Sequence, residues 1–114
     1  VILGVAGRIV PVPFDFDFAG AVEAPYANPA DGLPIANVRQ RLYLGWCWPG
    51  LDTGPLLDRF RAMRPALEEL YRSFEPLDPG TQDQTLAYYG DFYEIVSTPE
   101  RAQHRVFRDC KRLP

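Results

Sequence analysis

Eight glycines and prolines punctuate residues 20–50: Gly20, Pro25, Pro29, Gly32, Pro34, Gly45, Pro49 and Gly50. No long helix or regular sheet can run through such a stretch. Proline lacks a donor N–H and glycine costs the most backbone entropy. The breakers divide the chain into a β-patterned start and a helix-patterned end.

Before the breakers the residues alternate. Val1 to Val5 is an apolar run, Ala6-Gly7 reads as a tight turn, and Arg8 to Phe18 follows as a second strand. Val10, Val12, Phe14, Phe16 and Phe18 alternate with Pro11, Pro13, Asp15 and Asp17. A period of two sends the aromatic set toward a core and the other set outward. Pro11 and Pro13 sit two apart, so their missing donors fall on one edge. Within the breaker stretch, Val38 to Leu44 reads as one short strand, with Arg39, Arg41 and Tyr43 on one face.

After the breakers the period changes to that of a helix. Leu56, Phe60, Met63, Leu67, Leu70 and Phe74 step by 4, 3, 4, 3 and 4, an apolar stripe expected to face the core. Thr53 and Pro55 read as its start, and Pro65 is expected to kink or split it. Asp78-Pro79 opens a second helix, with Leu86, Tyr89, Phe92 and Val96 inward. Thr98-Pro99-Glu100 opens a third, expected to reach about Arg112. The expected class is therefore α+β: a hairpin, an irregular excursion with a short strand, and about three packed helices.

At 114 residues the chain fits a single small domain, 1–114. It begins with Val1 inside an apolar run, so it is expected to be the C-terminal part of a longer chain with an upstream domain. No run approaches the roughly 18 apolar residues of a membrane span. A net charge of −3 argues against a nucleic-acid partner. One histidine, His104, excludes a histidine-rich metal centre, and two cysteines cannot build a Cys-type zinc site. Neither Ser73 nor Ser97 lies in a nucleophile elbow.

The chemistry-bearing candidates are few. On one strand face, Asp15 and Asp17 would stand with Cα atoms about 6.5–7 Å apart, given a rise of ~3.3 Å per residue. Two such carboxylates can share Mg²⁺ or Mn²⁺, which favours oxygen ligands, or simply be solvated. Arg39 and Arg41 can hold a phosphate or carboxylate, or form structural ion pairs. Cys47 and Cys110 are either two buried thiols or a disulfide, and the disulfide would imply an oxidising compartment, periplasmic or secreted.

Three segments, Pro11 to Gly20, Ala24-Pro25-Tyr26-Ala27 and Val38 to Tyr43, together resemble a family of exported bacterial proteins of unassigned function. That family carries a V-P-Y-D-F-D-[FY]-[SA]-G segment in the C-terminal part of a longer protein. The resemblance covers most of the chain, with Phe14 where Tyr is commoner and Ala19 where Ser is commoner. A more distant resemblance is to kinase-like phosphotransferases, in which a hairpin ends in an Asp-Phe metal-binding segment. It implies that Asp15 or Asp17 is the metal-binding Asp of a C-terminal lobe that is inactive alone. The Gly-rich loop, the phosphate-gripping Lys and the catalytic Asp–Asn pair of such enzymes precede that hairpin, and only Val1 to Phe14 precede Asp15 here. Two functions are therefore expected in competition: a secreted kinase-like segment with a metal-binding Asp pair, and a non-enzymatic exported structural or protein-interaction domain.

Overall fold

The computed structural model describes residues 2–5 and 8–112, with side chains from residue 12 onward. The Ala6-Gly7 turn and the place of Val1 lie outside the described residues. The chain divides into two compact units, residues 1–40 and 41–114.

In the first unit, β1 (Ile2–Val5) pairs antiparallel with β2 (Arg8–Pro11), Ile2 standing opposite Pro11. The ladder is four residues a side, and the strand expected to continue to Phe18 stops at Pro11. Asp15 adopts a left-handed φ of 57°, which breaks the two-residue alternation at its centre. Beyond it the chain coils through successive turns. Ala19 N–H donates to the Phe16 carbonyl at 2.8 Å, and Val22 and Glu23 both donate to the Ala19 carbonyl at 2.9 Å. Phe14, Phe16 and Phe18 are all exposed, so the aromatic set lines no core. At Gly32 the φ of 84° is the positive value a type II turn needs at its third position, and Leu33 closes that turn onto the Ala30 carbonyl at 3.3 Å.

The strand expected over Val38–Leu44 does not form. The Asn37 side chain accepts from Arg39 N–H at 3.1 Å, and Gln40 N–H donates to the Asn37 carbonyl at 3.2 Å. A short polar side chain thus folds the backbone into a turn where the alternation implied a strand.

The second unit holds three helices: α1 (Gly54–Ser73), α2 (Pro79–Ile95) and α3 (Pro99–Ala102). A π turn over Gln103–Phe107 extends α3. The α+β class expected from the sequence is thereby corrected. The packed core is helical, with Leu57, Tyr93, Val96 and Ala102 buried and Leu67, Tyr89, Phe92, Ile95 and Phe107 packed around them.

The helix starts follow local chemistry. Asp78 caps α2, its side chain accepting from Thr81 N–H at 3.0 Å and from the Thr81 hydroxyl at 2.6 Å. Thr98 caps α3 by accepting from Arg101 N–H at 3.2 Å. Thr53 makes no side-chain cap to α1; Asp52 instead accepts from Gly54 N–H at 2.9 Å. Helix α1 runs unsplit through Pro65, which is exposed. The third helix ends well short of Arg112, because the residues after Phe107 turn to join Cys110 to Cys47.

The stripe on α1 is also turned away from its expected place. Leu57 is the buried residue, whereas Leu56, Phe60, Met63, Leu70 and Phe74 are 41–62% exposed. At about 100° per residue, Leu57, Arg61, Arg64, Glu68 and Tyr71 form a second face one step round the helix. That mixed face meets α2. Arg61 donates to the Val96 carbonyl at 2.8 Å, Arg64 stands 5.1 Å over the Tyr93 ring, and Tyr71 packs 5.6 Å from Tyr89.

Candidate functional site

The two carboxylates singled out in the sequence do not stand on one strand face. The strand meant to align them ends before Asp15, and Asp17 accepts a hydrogen bond from the Tyr26 hydroxyl. That bond raises the Tyr26 pKa above its ordinary value. Among the described residues no group of three or more His, Cys, Asp or Glu side chains is placed to hold a metal ion, which corrects the metal-binding expectation. Arg39 belongs to the first unit and pairs with Glu23. Arg41 belongs to the second, donates to the Tyr88 carbonyl and lies 4.0 Å over the Tyr88 ring. The same-face strand placement that made the two arginines one anion site is absent.

Cys47 and Cys110 are joined in a disulfide with Cα atoms 5.1 Å apart. Backbone bonds reinforce the clasp: Cys47 N–H donates to the Lys111 carbonyl at 2.7 Å, and Lys111 N–H donates to the Gly45 carbonyl at 2.9 Å. The Tyr43 ring meets Phe107 edge-on at 5.1 Å. The segment before α1 is therefore fixed to the end of the π turn. Just past the clasp, Leu51 N–H reaches the Trp48 carbonyl at 3.2 Å across Pro49-Gly50, and the Gly50 φ of 80° makes glycine the fitting residue there. Trp46 and Trp48 flank the clasp with their rings exposed.

Several recesses open on this unit among the described residues. One, about 580 Å³, is lined by Arg41, Arg101 and Arg105 but equally by Asp91, Glu94 and Glu100. Arg101 is paired with Glu94 at 2.9 Å, and the balance of signs gives no field to draw an ion of either charge. A second, about 440 Å³, lies beside the clasp under Trp46 and Trp48. A third, about 410 Å³, is an aromatic groove between α1 and α2 lined by Phe60, Met63, Leu67, Tyr88, Tyr89 and Phe92. Phe60 and Phe92 meet edge-on in it at 5.5 Å. Burial, aided by a hydrogen bond with Tyr71, pushes the Tyr89 hydroxyl up to about 12.

The groove adjoins the exposed stripe of α1, and together they make the most apolar open surface of this unit. Periodicity identified these residues and assigned them to the core. A signal for the other assignment lies in the adjacent apolar pairs Leu56-Leu57 and Leu70-Tyr71. Neighbours on a helix point about 100° apart, so such pairs mark apolar character on two sides. One side packs inside the unit and the other is left over.

Comparison with known proteins found no family model, no curated protein and no solved structure that matches this chain.

Proposed function

We propose that this chain is a non-enzymatic protein-interaction domain of an exported bacterial protein, periplasmic or secreted, and that α1 carries its contact surface. The observation that carries this reading is the exposure of Leu56, Phe60, Met63 and Leu70 along one side of a regular helix, with Phe74 exposed at its C-cap. Contiguous apolar surface of this kind marks protein contacts more often than single scattered residues do. The disulfide supports export, since such bonds persist in oxidising compartments. It also supplies a rigid mount, holding both ends of the helical unit while the face stays open.

The test is site-specific photo-crosslinking in the producing cell. Benzoylphenylalanine at Met63 or Leu70 is expected to give a protein adduct, and the same group at Arg72, on the other side of α1, is not. Equal labelling at all three positions, or none at any, would sink the reading.

A further inference from the structure

We infer that the occupant of the α1 face is a second copy of this chain, its own α1 laid antiparallel across a two-fold axis near Pro65. This inference rests on the docking reading above and names the partner.

The spacing points to a helix as partner. Steps of 4, 3, 4, 3 and 4 repeat every 3.5 residues, the seam along which one helix packs its side chains into the holes of another. From Leu56 to Leu70 the seam runs about 21 Å, at 1.5 Å per residue. Among the described residues α1 offers such a seam, exposed at Leu56, Phe60, Met63, Leu70 and Phe74 and half-buried at Leu67. A two-fold contact needs a patch that is complementary to itself, and an antiparallel pair centred on Pro65 meets this condition. It sets Leu56 of one copy against Phe74 of the other, Phe60 against Leu70 and Met63 against Leu67. The flank of the seam is Arg59, Ala66 and Ser73, so two of its three residues are small and admit close approach. Parallel pairing would instead bring Arg59 against its own copy and align the two helix dipoles.

The area suffices for a reversible dimer. Five side chains are 41–62% exposed. At roughly 200 Å² for a side chain of this size, the stripe offers on the order of 500 Å² per copy. Two copies then bury about 1,000 Å², the lower bound for a specific interface. The adjoining groove of about 410 Å³ gives the incoming side chains a recess. Well-packed recesses, more than total area, decide whether such a contact holds.

The experiment is sedimentation equilibrium on the full disulfide-bonded chain, from about micromolar to about millimolar concentration. The wild type is expected to move from one chain mass toward two. Met63→Glu would place two carboxylates beside the axis, each against an apolar Leu67, and is expected to keep the protein monomeric with its helix signal intact. Leu56→Lys and Phe74→Glu are each expected to weaken self-association. Mixed in equal amounts, they are expected to form a heterodimer that exceeds either homodimer at least tenfold, because the antiparallel register pairs position 56 with position 74. A wild type that stays monomeric overturns the inference, as does a dimer indifferent to Met63→Glu or a mixture no tighter than its parts. The cell crosslink separates the two readings. An adduct of twice the chain mass supports self-pairing. An adduct with a different protein leaves the docking reading standing and overturns the second copy. Absence of any adduct overturns both.

Discussion

The Arg61 guanidinium, on α1, donates to the main-chain carbonyl of Val96 at 2.8 Å, where α2 ends. The same nitrogen reaches the Ser97 carbonyl at 3.3 Å. The last carbonyls of a helix have no partner within it, and a cation at that end also favours the helix dipole. One side chain thus closes α2 and ties it to α1.

Removing that tie destabilises the helical unit. Arg61→Ala leaves the carbonyls without their charged donor and is expected to cost about 1–2 kcal/mol, the lower part of the range for such bonds because the side chain is one-third exposed. Arg61→Lys recovers less than half, since a lysine has no second nitrogen to hold Asp58 while the first reaches the carbonyls. Urea denaturation of the oxidised protein reads both values. Equal midpoints for wild type and Arg61→Ala would show that the tie contributes nothing.

Reduction of the clasp has a larger effect. Cys47 and Cys110 are 63 residues apart, and a cross-link over such a loop stabilises by about 4 kcal/mol in the chain-entropy model. Adding reductant, or replacing both cysteines with serine, is expected to lower the melting temperature by more than ten degrees for a unit this small. A melting temperature indifferent to reductant would contradict the clasp.

Acid loosens the helix starts. Hydrogen bonds from the Thr81 hydroxyl and backbone hold the Asp78 pKa below its ordinary 3.8. Hydrogen bonding at its own backbone and to Thr98 lowers Glu100 from 4.5. A carboxylate whose folded pKa is depressed adds stability that is present above the unfolded value and lost as pH falls toward the folded one. Stability should therefore fall progressively as pH drops below about 4.5, first through Glu100 and then through Asp78. Asp78→Asn keeps a capping oxygen and removes that group's titration. Its stability curve should be flatter below pH 4 than that of the wild type, and a parallel curve would argue against Asp78.

Alkali acts on the groove. With Tyr89 raised to about 12 in the folded state, stability is whole below the unfolded value near 10 and is lost as pH rises through the folded one. Ultraviolet titration should show a tyrosine ionising near pH 12 that Tyr89→Phe removes. Burial is the larger cause and Tyr71 the smaller, so Tyr71→Phe should return only a minor part of the shift. Full return to the ordinary value would reverse that order.

Legibility in the sequence follows the range of the deciding interaction. The caps at Asp78 and Thr98 depend on residues three positions away, and both helices begin where those residues imply. The strands after Pro11 were misread for equally local reasons that alternation does not report. Asp15 turns left-handed and the Asn37 side chain accepts from Arg39 N–H, and either event outweighs a period of two. The rotation of α1 was hidden differently. Leu56 and Leu57 are the same residue type, and only the packing of Arg61, Arg64 and Tyr71 onto α2 decides which of them is inside. The candidate surface was therefore visible as residues and misassigned as core.

The bond between Cys47 and Cys110 makes a covalent ring of everything from one cysteine to the other. A protease that nicks the exposed link at Phe74–Pro76, between the two long helices, would separate no fragments. Both pieces would remain one molecule until the ring was opened by a thiol. In an extracellular setting rich in proteases, the surface borne on α1 would outlast a single cut.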